Sequence, residues 1–319
     1  MNVHLTFDIE VWCDGWDRLD QSFPANFERY VYGRSSHGEF ALPKTIEILN
    51  KNGLRGVFFV EPLFAARFGI SHLKTIVDLI QDGGQEVQLH LHPEWTDEIR
   101  PPILANVSKK RQHLSYYTLQ EQTDLIGLGR RLLAQAGCHT VDAFRAGSFA
   151  ANLDTIEALK RNGILIDSSL NRCYAISGGD FPGERNFDTP FAHNGVIVYP
   201  VTVFKDGLGA DRPTHVAACG FEEVKDALNS AKRAGWTDFV VVSHNFEMLK
   251  PGTSTPSWIV VRRFEQLCAF LAEHRRDFCV TGFTKSVNPA FDRSAAKPPS
   301  ARLSSTLIRH VEQAISRIT

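Results

Sequence analysis

The sequence predicts an α/β protein of the (β/α)7-8 barrel type with parallel strands. Three observations predict it. Short β-branched or aromatic runs alternate with helical patterns along most of the chain. Most of those helical patterns stop at a glycine, a common helix terminator. Seven or eight such units follow one another, which favours a closed or nearly closed barrel over an open doubly wound sheet. No GxGxxG follows the first strand, so a dinucleotide-binding fold has no support.

The predicted strands, in order, are Val3–Asp8, Arg55–Val60, Glu86–His92, Val141–Arg145, Ile164–Asp167, Val196–Val201, Phe239–Ser243 and Phe278–Thr281. The first helix, Leu42–Asn52, carries apolar residues at helical spacing and stops at Gly53. His72–Asp82 ends at Gly83-Gly84, Thr118–Ala136 at Gly137, Leu153–Asn162 at Gly163 and Phe221–Ala234 at Gly235. Ser257–His274 starts after Pro256, a helix-start signal. Three segments stand outside this rhythm. Glu10–Glu39 is a polar and aromatic insertion, and Cys173–Asn194 is rich in glycine, proline and asparagine and reads as a loop. Val287–Thr319 reads as a linker around Ser294–Ser300 and then an amphipathic helix, Leu303–Ile318. That segment carries Leu307, Ile308, Val311 and Ile315 beside Arg302, Arg309 and Arg317; it could dock on the barrel, on a partner or weakly at a membrane surface, with plain docking or fraying the simplest reading. The organisation expected is a barrel domain over 1–286 and a linker with a C-terminal helix over 287–319.

Composition narrows the class. Of 319 residues, 43% are hydrophobic and 22% charged, which argues against a largely disordered chain. The formal net charge of -1 supplies no global basic field to draw the chain to nucleic acid. No apolar run reaches the roughly 18 residues of a transmembrane helix. The N-terminus MNVHLTFDIE lacks the basic and apolar regions of a secretory signal. The six cysteines are scattered without a CxxC pair and read as reduced, mostly core residues of a cytoplasmic protein.

Several predicted strands end in a chemically capable residue, and C-terminal strand ends of parallel barrels converge on one mouth. The strongest segment is Glu86-Val-Gln-Leu-His90-Leu-His92-Pro-Glu94. Alternate residues of a strand share a face, so His90 and His92 point the same way. Two imidazoles plus a carboxylate from a neighbouring strand suit a divalent metal such as zinc, with an open position for a water whose pKa falls toward ~7. Asp8 and Glu10 also share a face, and two carboxylates can divide the labour of binding metal and taking a proton. Arg145 can clamp a carboxylate and hold it ionised. His244, after Val240-Val-Val-Ser243, is the residue type of a general acid near neutral pH. Each feature alone has a plain structural reading: surface histidines, a solvated strand end, a salt bridge, a helix cap.

Together these segments resemble the polysaccharide deacetylase family, the NodB-homology or carbohydrate esterase family 4 group. Thr6-Phe-Asp8-Ile-Glu10 is similar to its TFDD motif, and His90-Leu-His92-Pro-Glu94 falls where the family has HxxxH. Phe144-Arg-Ala-Gly-Ser148, Asp167-Ser-Ser169 and Val242-Ser-His244 resemble its third, fourth and fifth motifs. The likeness spans about residues 1–285 and implies a distorted (β/α)7 barrel. It implies a metal-dependent hydrolase removing an N- or O-linked acetyl group from a sugar or glycan precursor. Asp8 would be the base, Arg145 would orient it, His244 would protonate the leaving group, and Asp167 would tune His244 or shape the groove. Two positions depart from the pattern. Ile9 stands where the family binds metal through an aspartate, and Glu10 is the substitute. Glu94 stands where the second histidine falls, so the expected ligands are Glu10, His90 and His92, with Glu94 as stand-in. Zinc is the first expectation for the metal, with cobalt, nickel or manganese as alternatives.

Other readings stay open: a metal-free hydrolase on the same barrel, either a C–N bond hydrolase or a glycosidase pairing Asp8 or Glu10 with Glu94, or an inactive saccharide-binding member. Trp12, Trp16, Phe23, Phe27, Tyr30 and Tyr32 in the insertion supply either a saccharide groove or packing for the insertion itself. Cytoplasmic residence favours a nucleotide-linked, lipid-linked or small acetylated sugar.

Overall fold

A computed structural model describes residues 1–105, 107, 109–174, 188–283 and 297–316. Its contacts divide the chain into two compact units. The first comprises Met1–Gly56, Thr202–Thr281 and the described part of Ala295–Thr319. The second comprises the described parts of Val57–Val201 and Gly282–Ser294.

In the first unit the strand Asn2–Ile9 runs parallel to Asp238–His244, in a register from Asn2 opposite Asp238 to Asp8 opposite His244. The short strand Cys279–Val280 pairs parallel with its start. Val3, Leu5 and Phe7 alternate with His4, Thr6 and Asp8, and all six are buried. A parallel strand covered on both faces has no solvent side, so its polar residues need partners inside. His4 finds the Thr281 carbonyl and the Asp238 carboxylate, each at 3.1 Å, and the Thr6 hydroxyl donates to the Val241 carbonyl at 2.6 Å. The helices Leu42–Lys51, Phe221–Arg233 and Trp258–Glu273 add their apolar stripes to this core, with Phe264 edge-on to Phe7 at 5.6 Å between centroids.

The insertion is more ordered than its composition suggests. It holds a helix, Leu19–Phe27, that runs through Pro24, then a wide turn over Glu28–Tyr32 and a two-strand hairpin of Arg34–Ser35 and Gly38–Glu39. Phe23 and Phe27 are buried against each other, 5.8 Å between centroids, so these two aromatics pack the insertion. Gly33 sits at φ 57, and a Cβ there would meet the Leu249 side chain at 2.8 Å. The hairpin Val203–Lys205 with Asp211–Pro213 also lies in this unit.

The C-terminal helix Leu303–Ser316 lies against Phe221–Arg233. Residues 317 and 318 of its expected span fall outside the described residues. It docks by its polar side: Arg309 is buried between Glu223 and Asp206, and Arg302 pairs with Asp226. Leu303, Leu307, Ile308, Val311 and Ile315 stay exposed.

In the second unit five strands run parallel in the order Val57–Val60, Glu86–Leu91, Ala143–Ala146, Ile166–Asp167 and Val196–Val198. Phe191–His193 closes the edge antiparallel to Val196–Val198. Asn194 and Gly195 form the connection at φ 51 and 85, the left-handed pair that a two-residue hairpin turn demands. Part of the expected loop Cys173–Asn194, residues 175–187, lies outside the described residues. The helices Ile70–Asp82, Leu119–Gln135 and Leu153–Arg161 cover these strands, the last two begun by capping boxes at Thr118 and Asn152. All eight predicted strands and all six predicted barrel helices are present, with ends shifted by no more than three residues. Among the described residues no helix is long and apolar enough to cross a membrane.

Candidate active site

Each unit carries part of the predicted residue set at its strand ends. In the first unit Asp8, Glu10 and His244 come together. Strand register sets Asp8 opposite His244, and His244 Nε2 lies 3.9 Å from Glu10 Oε1. The Asn245 side chain fixes the Glu10 backbone, accepting from its N–H and donating to its carbonyl, both at 3.1 Å, and donates to the Tyr30 carbonyl at 2.6 Å. The Trp12 indole donates to Glu10 Oε2 at 2.6 Å. One carboxylate oxygen is thus held by Trp12 while the other faces the imidazole.

Two residues here escaped the sequence reading. Glu247, three positions after His244, accepts from His244 Nδ1 at 2.7 Å and from the Ser243 hydroxyl at 2.7 Å. His215 reaches the same Glu247 oxygen at 2.7 Å. Burial alone would disfavour the charged imidazole of His244, but Glu247, then Glu10 and Asp8, outweigh it and raise its pKa to about 9. Glu247 is pulled the opposite way: burial works against its charge, and His215 with His244 hold it well below the usual carboxylate range. Beside this cluster lies a cavity of about 360 Å³ lined in part by Arg29, Tyr30, Phe246, Glu247, Leu249 and Lys250. Tyr30 and Phe246 meet edge to face across 5.2 Å.

In the second unit His90, His92, Arg145 and Asp167 come together. Parallel pairing puts His90 beside Arg145, and His90 Nδ1 bonds to the Arg145 carbonyl at 2.8 Å. A carbonyl only accepts, so His90 Nδ1 carries the proton and Nε2 is its lone-pair nitrogen. His92 Nδ1 lies 3.3 Å from Glu94 Oε2, a carboxylate that orients the ring the same way. The two rings sit 4.9 Å apart. Gly147 lets His92 in: a Cβ there would meet the imidazole at 2.7 Å. Two imidazoles, each backed at Nδ1 by an oxygen, are donors that fit a divalent ion.

Arg145 is fully buried and donates to the Ser168 carbonyl and hydroxyl, both at 3.0 Å, with its guanidinium 4.4 Å from the Phe59 ring centroid. Asp167 accepts from the Ser169 hydroxyl at 2.5 Å and its N–H at 3.2 Å. Burial pushes the Asp167 carboxyl up to about 6, against the pull of Ser169 and Arg145. Glu61, just past the strand Val57–Val60, was also missed by the sequence reading. Burial lifts its carboxyl to about 8 despite the Leu63 and Phe64 amides and nearby His92.

The Asp167 shift has a consequence for stability. Its folded pKa stands above the usual aspartate value of 3.8. The folded state therefore holds the proton more tightly, and this contribution is full below about pH 4 and lost as pH rises through about 6. The expected loss across that window is about 3 kcal/mol. Asp167→Asn should flatten this part of the pH dependence, read from urea midpoints at pH 4.5 and 7. An unchanged difference between those midpoints would contradict the assignment.

No family model matches the sequence, and no curated protein does. Solved structures do. A protein of Mycobacterium smegmatis assigned to the polysaccharide deacetylases superposes with a TM-score of 0.53 at 18% identity, covering 90% of this chain and 94% of that one. The chain has the polysaccharide deacetylase fold. The distorted parallel α/β barrel expected from the sequence is the architecture of that fold. A family 4 carbohydrate esterase from Streptomyces lividans in complex with acetate matches over 88% of this chain and 92% of that one, at 14% identity and a TM-score of 0.41. The 4-alpha-glucanotransferase from Thermococcus litoralis matches at a TM-score of 0.55 and 11% identity, over 91% of this chain and 41% of that one. A fold shared with a glucanotransferase does not select a reaction, so the chemistry has to be argued from the side chains.

Proposed function

We propose that the protein is a metal-dependent hydrolase that removes an acetyl group, N- or O-linked, from a saccharide or glycan precursor. The single observation that carries this reading is the state of the two histidines on the deacetylase fold. The oxygens backing His90 and His92 at Nδ1 favour the proton there, which assigns ligation to Nε2 of each ring in this reading. Glu10 supplies the carboxylate ligand in this reading, with its free rotation restrained by Trp12. Glu94 serves better as the partner of His92 than as its replacement. A divalent ion, zinc in the first instance, supplies Lewis acidity toward a water and the acetyl carbonyl.

The chain supplies the proton transfers. Asp8 takes a proton from the attacking water, and Arg145 orients it. His244, charged at neutral pH, is loaded to give a proton from Nε2 to the departing amine or alcohol. Asp167 shapes the groove through Ser169. The cavity with Tyr30 and Phe246 offers ring surface of the kind that sugar C–H faces stack on. The scatter of six cysteines without a CxxC pair supports residence in the cytoplasm, where a sugar nucleotide, a lipid-linked sugar or a small acetylated sugar is available.

Elemental analysis tests the reading first. The purified protein should carry about one equivalent of divalent metal, and His90→Ala/His92→Ala should lose it. Acetylated sugars are then screened for acetate release. Absence of metal in the wild type, even after reconstitution with zinc, cobalt, nickel or manganese, would overturn the mechanism.

A further inference from the structure

We infer that Glu247 is the positioning residue of His244, joined in that task by His215. The inference deepens the proposed function and rests on it for the catalytic consequence, though not for the arrangement itself. It starts from three side chains that no motif contains together. His215 Nε2 and His244 Nδ1 both lie 2.7 Å from the same oxygen, Glu247 Oε1. The second oxygen accepts from the Ser243 hydroxyl at 2.7 Å. The carboxylate therefore has a donor on each oxygen and cannot turn without breaking bonds.

Two uses of such a cluster compete. The donor atoms of His215, His244 and Glu247 all lie within 4.8 Å of one another, close enough to hold an ion. Ligands at zinc distances around a tetrahedral centre stand roughly 3.3 Å apart. A nitrogen-to-oxygen distance of 2.7 Å is shorter than that and falls at the value of a charge-assisted hydrogen bond. The geometry is that of His244 donating to one carboxylate oxygen, with His215 in ion-pair contact with the same atom.

The bond has a directional result. A carboxylate acceptor fixes the proton of His244 on Nδ1 and sets the ring plane. It leaves Nε2 on the side of Glu10, 3.9 Å away. Backbone placement alone would not do this, because His244 ends its strand and is partly exposed. Phe246 packs on the ring at 5.4 Å but carries no acceptor for it. The segment after the strand, Asn245-Phe-Glu247, thus folds back so that Asn245 holds Glu10, Phe246 walls the cavity and Glu247 holds the imidazole. His215 enters from a separate segment, through a bridge to Val242, and keeps Glu247 anchored when His244 gives up its proton.

The test uses the full chain and two independent readouts. Proton NMR of the wild type should show a low-field imidazole N–H from His244, assigned by its loss in His244→Gln. Glu247→Gln should abolish or strongly shift it, and Glu247→Asp should retain part of the effect. In the acetate-release assay Glu247→Gln should lower kcat roughly 10- to 100-fold with KM within about twofold. Metal content should stay unchanged and His215→Gln should show a smaller fall. A low-field resonance indifferent to Glu247→Gln would overturn the inference. So would a kcat within twofold of wild type, or a loss of metal in Glu247→Gln. If no acetylated sugar is turned over by the wild type, the proposed function fails, while the NMR arm still decides whether Glu247 holds His244.

Discussion

Asp8→Asn is expected to lower turnover of an acetylated saccharide about a thousandfold, with metal content and KM little changed. The residue is the last but one of the first strand, is buried, and stands opposite His244 in the parallel register. Asparagine keeps its shape but cannot accept a proton, and a positioned general base contributes about 10²- to 10⁴-fold. The carboxylate also acts at a distance. Its charge is one of those that raise the pKa of His244, after Glu247 and Glu10. The variant should therefore move the His244 titration downward, which NMR reads without any substrate. A base that only shaped the groove would leave turnover within a few-fold, and a saccharide-binding barrel without catalysis would lose only modest affinity. Turnover within tenfold of wild type would remove Asp8 from the mechanism.

The parts of this molecule that sequence could reveal were those written in local periodicity. Buried parallel strands are short apolar runs, helices between them carry 3.6-residue stripes, and glycines at positive φ end several of them, as at Gly53, Gly137 and Gly235. The strand-end chemistry was legible for the same reason, since His90 and His92 share a face by the period of a strand alone. Glu247 was not legible. Its role depends on a turn that folds the chain back on His244, and an acid three residues past a strand otherwise reads as a solvated loop residue. His215 left no trace, because its place is set by pairing with Val242 across the unit. The helix Leu19–Phe27 was masked by Pro24, which normally argues against a helix interior. The hairpin at Asn194-Gly195 is a different case. Its dipeptide is a strong hairpin signal, but it directly follows a long polar stretch and so reads as the end of that loop.

The C-terminal helix inverts the usual amphipathic logic, and that makes Arg309 the expected weak point for stability. An apolar stripe of Leu303, Leu307, Ile308, Val311 and Ile315 would ordinarily seek the core, yet these residues are exposed. The helix is held instead by its polar side. Arg309, 1% exposed, lies 2.9 Å from Glu223 and 3.3 Å from Asp206, and Thr306 donates to Glu223 at 2.7 Å. Both acids have further duties: Glu223 caps its own helix at the Gly220 N–H, and Asp206 binds the Leu208 and Ala210 amides and Arg212. Gly207 makes room for the docking, since a Cβ there would run into the Leu303 backbone at 2.3 Å. Removing the guanidinium leaves buried carboxylate charge with too few donors, a situation that costs roughly 3–5 kcal/mol. Arg309→Met should therefore lower the unfolding free energy from urea titration by that order, with a correspondingly lower midpoint, and speed hydrogen exchange along Leu303–Ser316. Glu223→Gln in the same chain should recover part of the loss, because the charge left unpaired is then gone. An Arg309→Met protein that unfolds at the wild-type urea concentration would show that the helix is held by something other than this ion cluster.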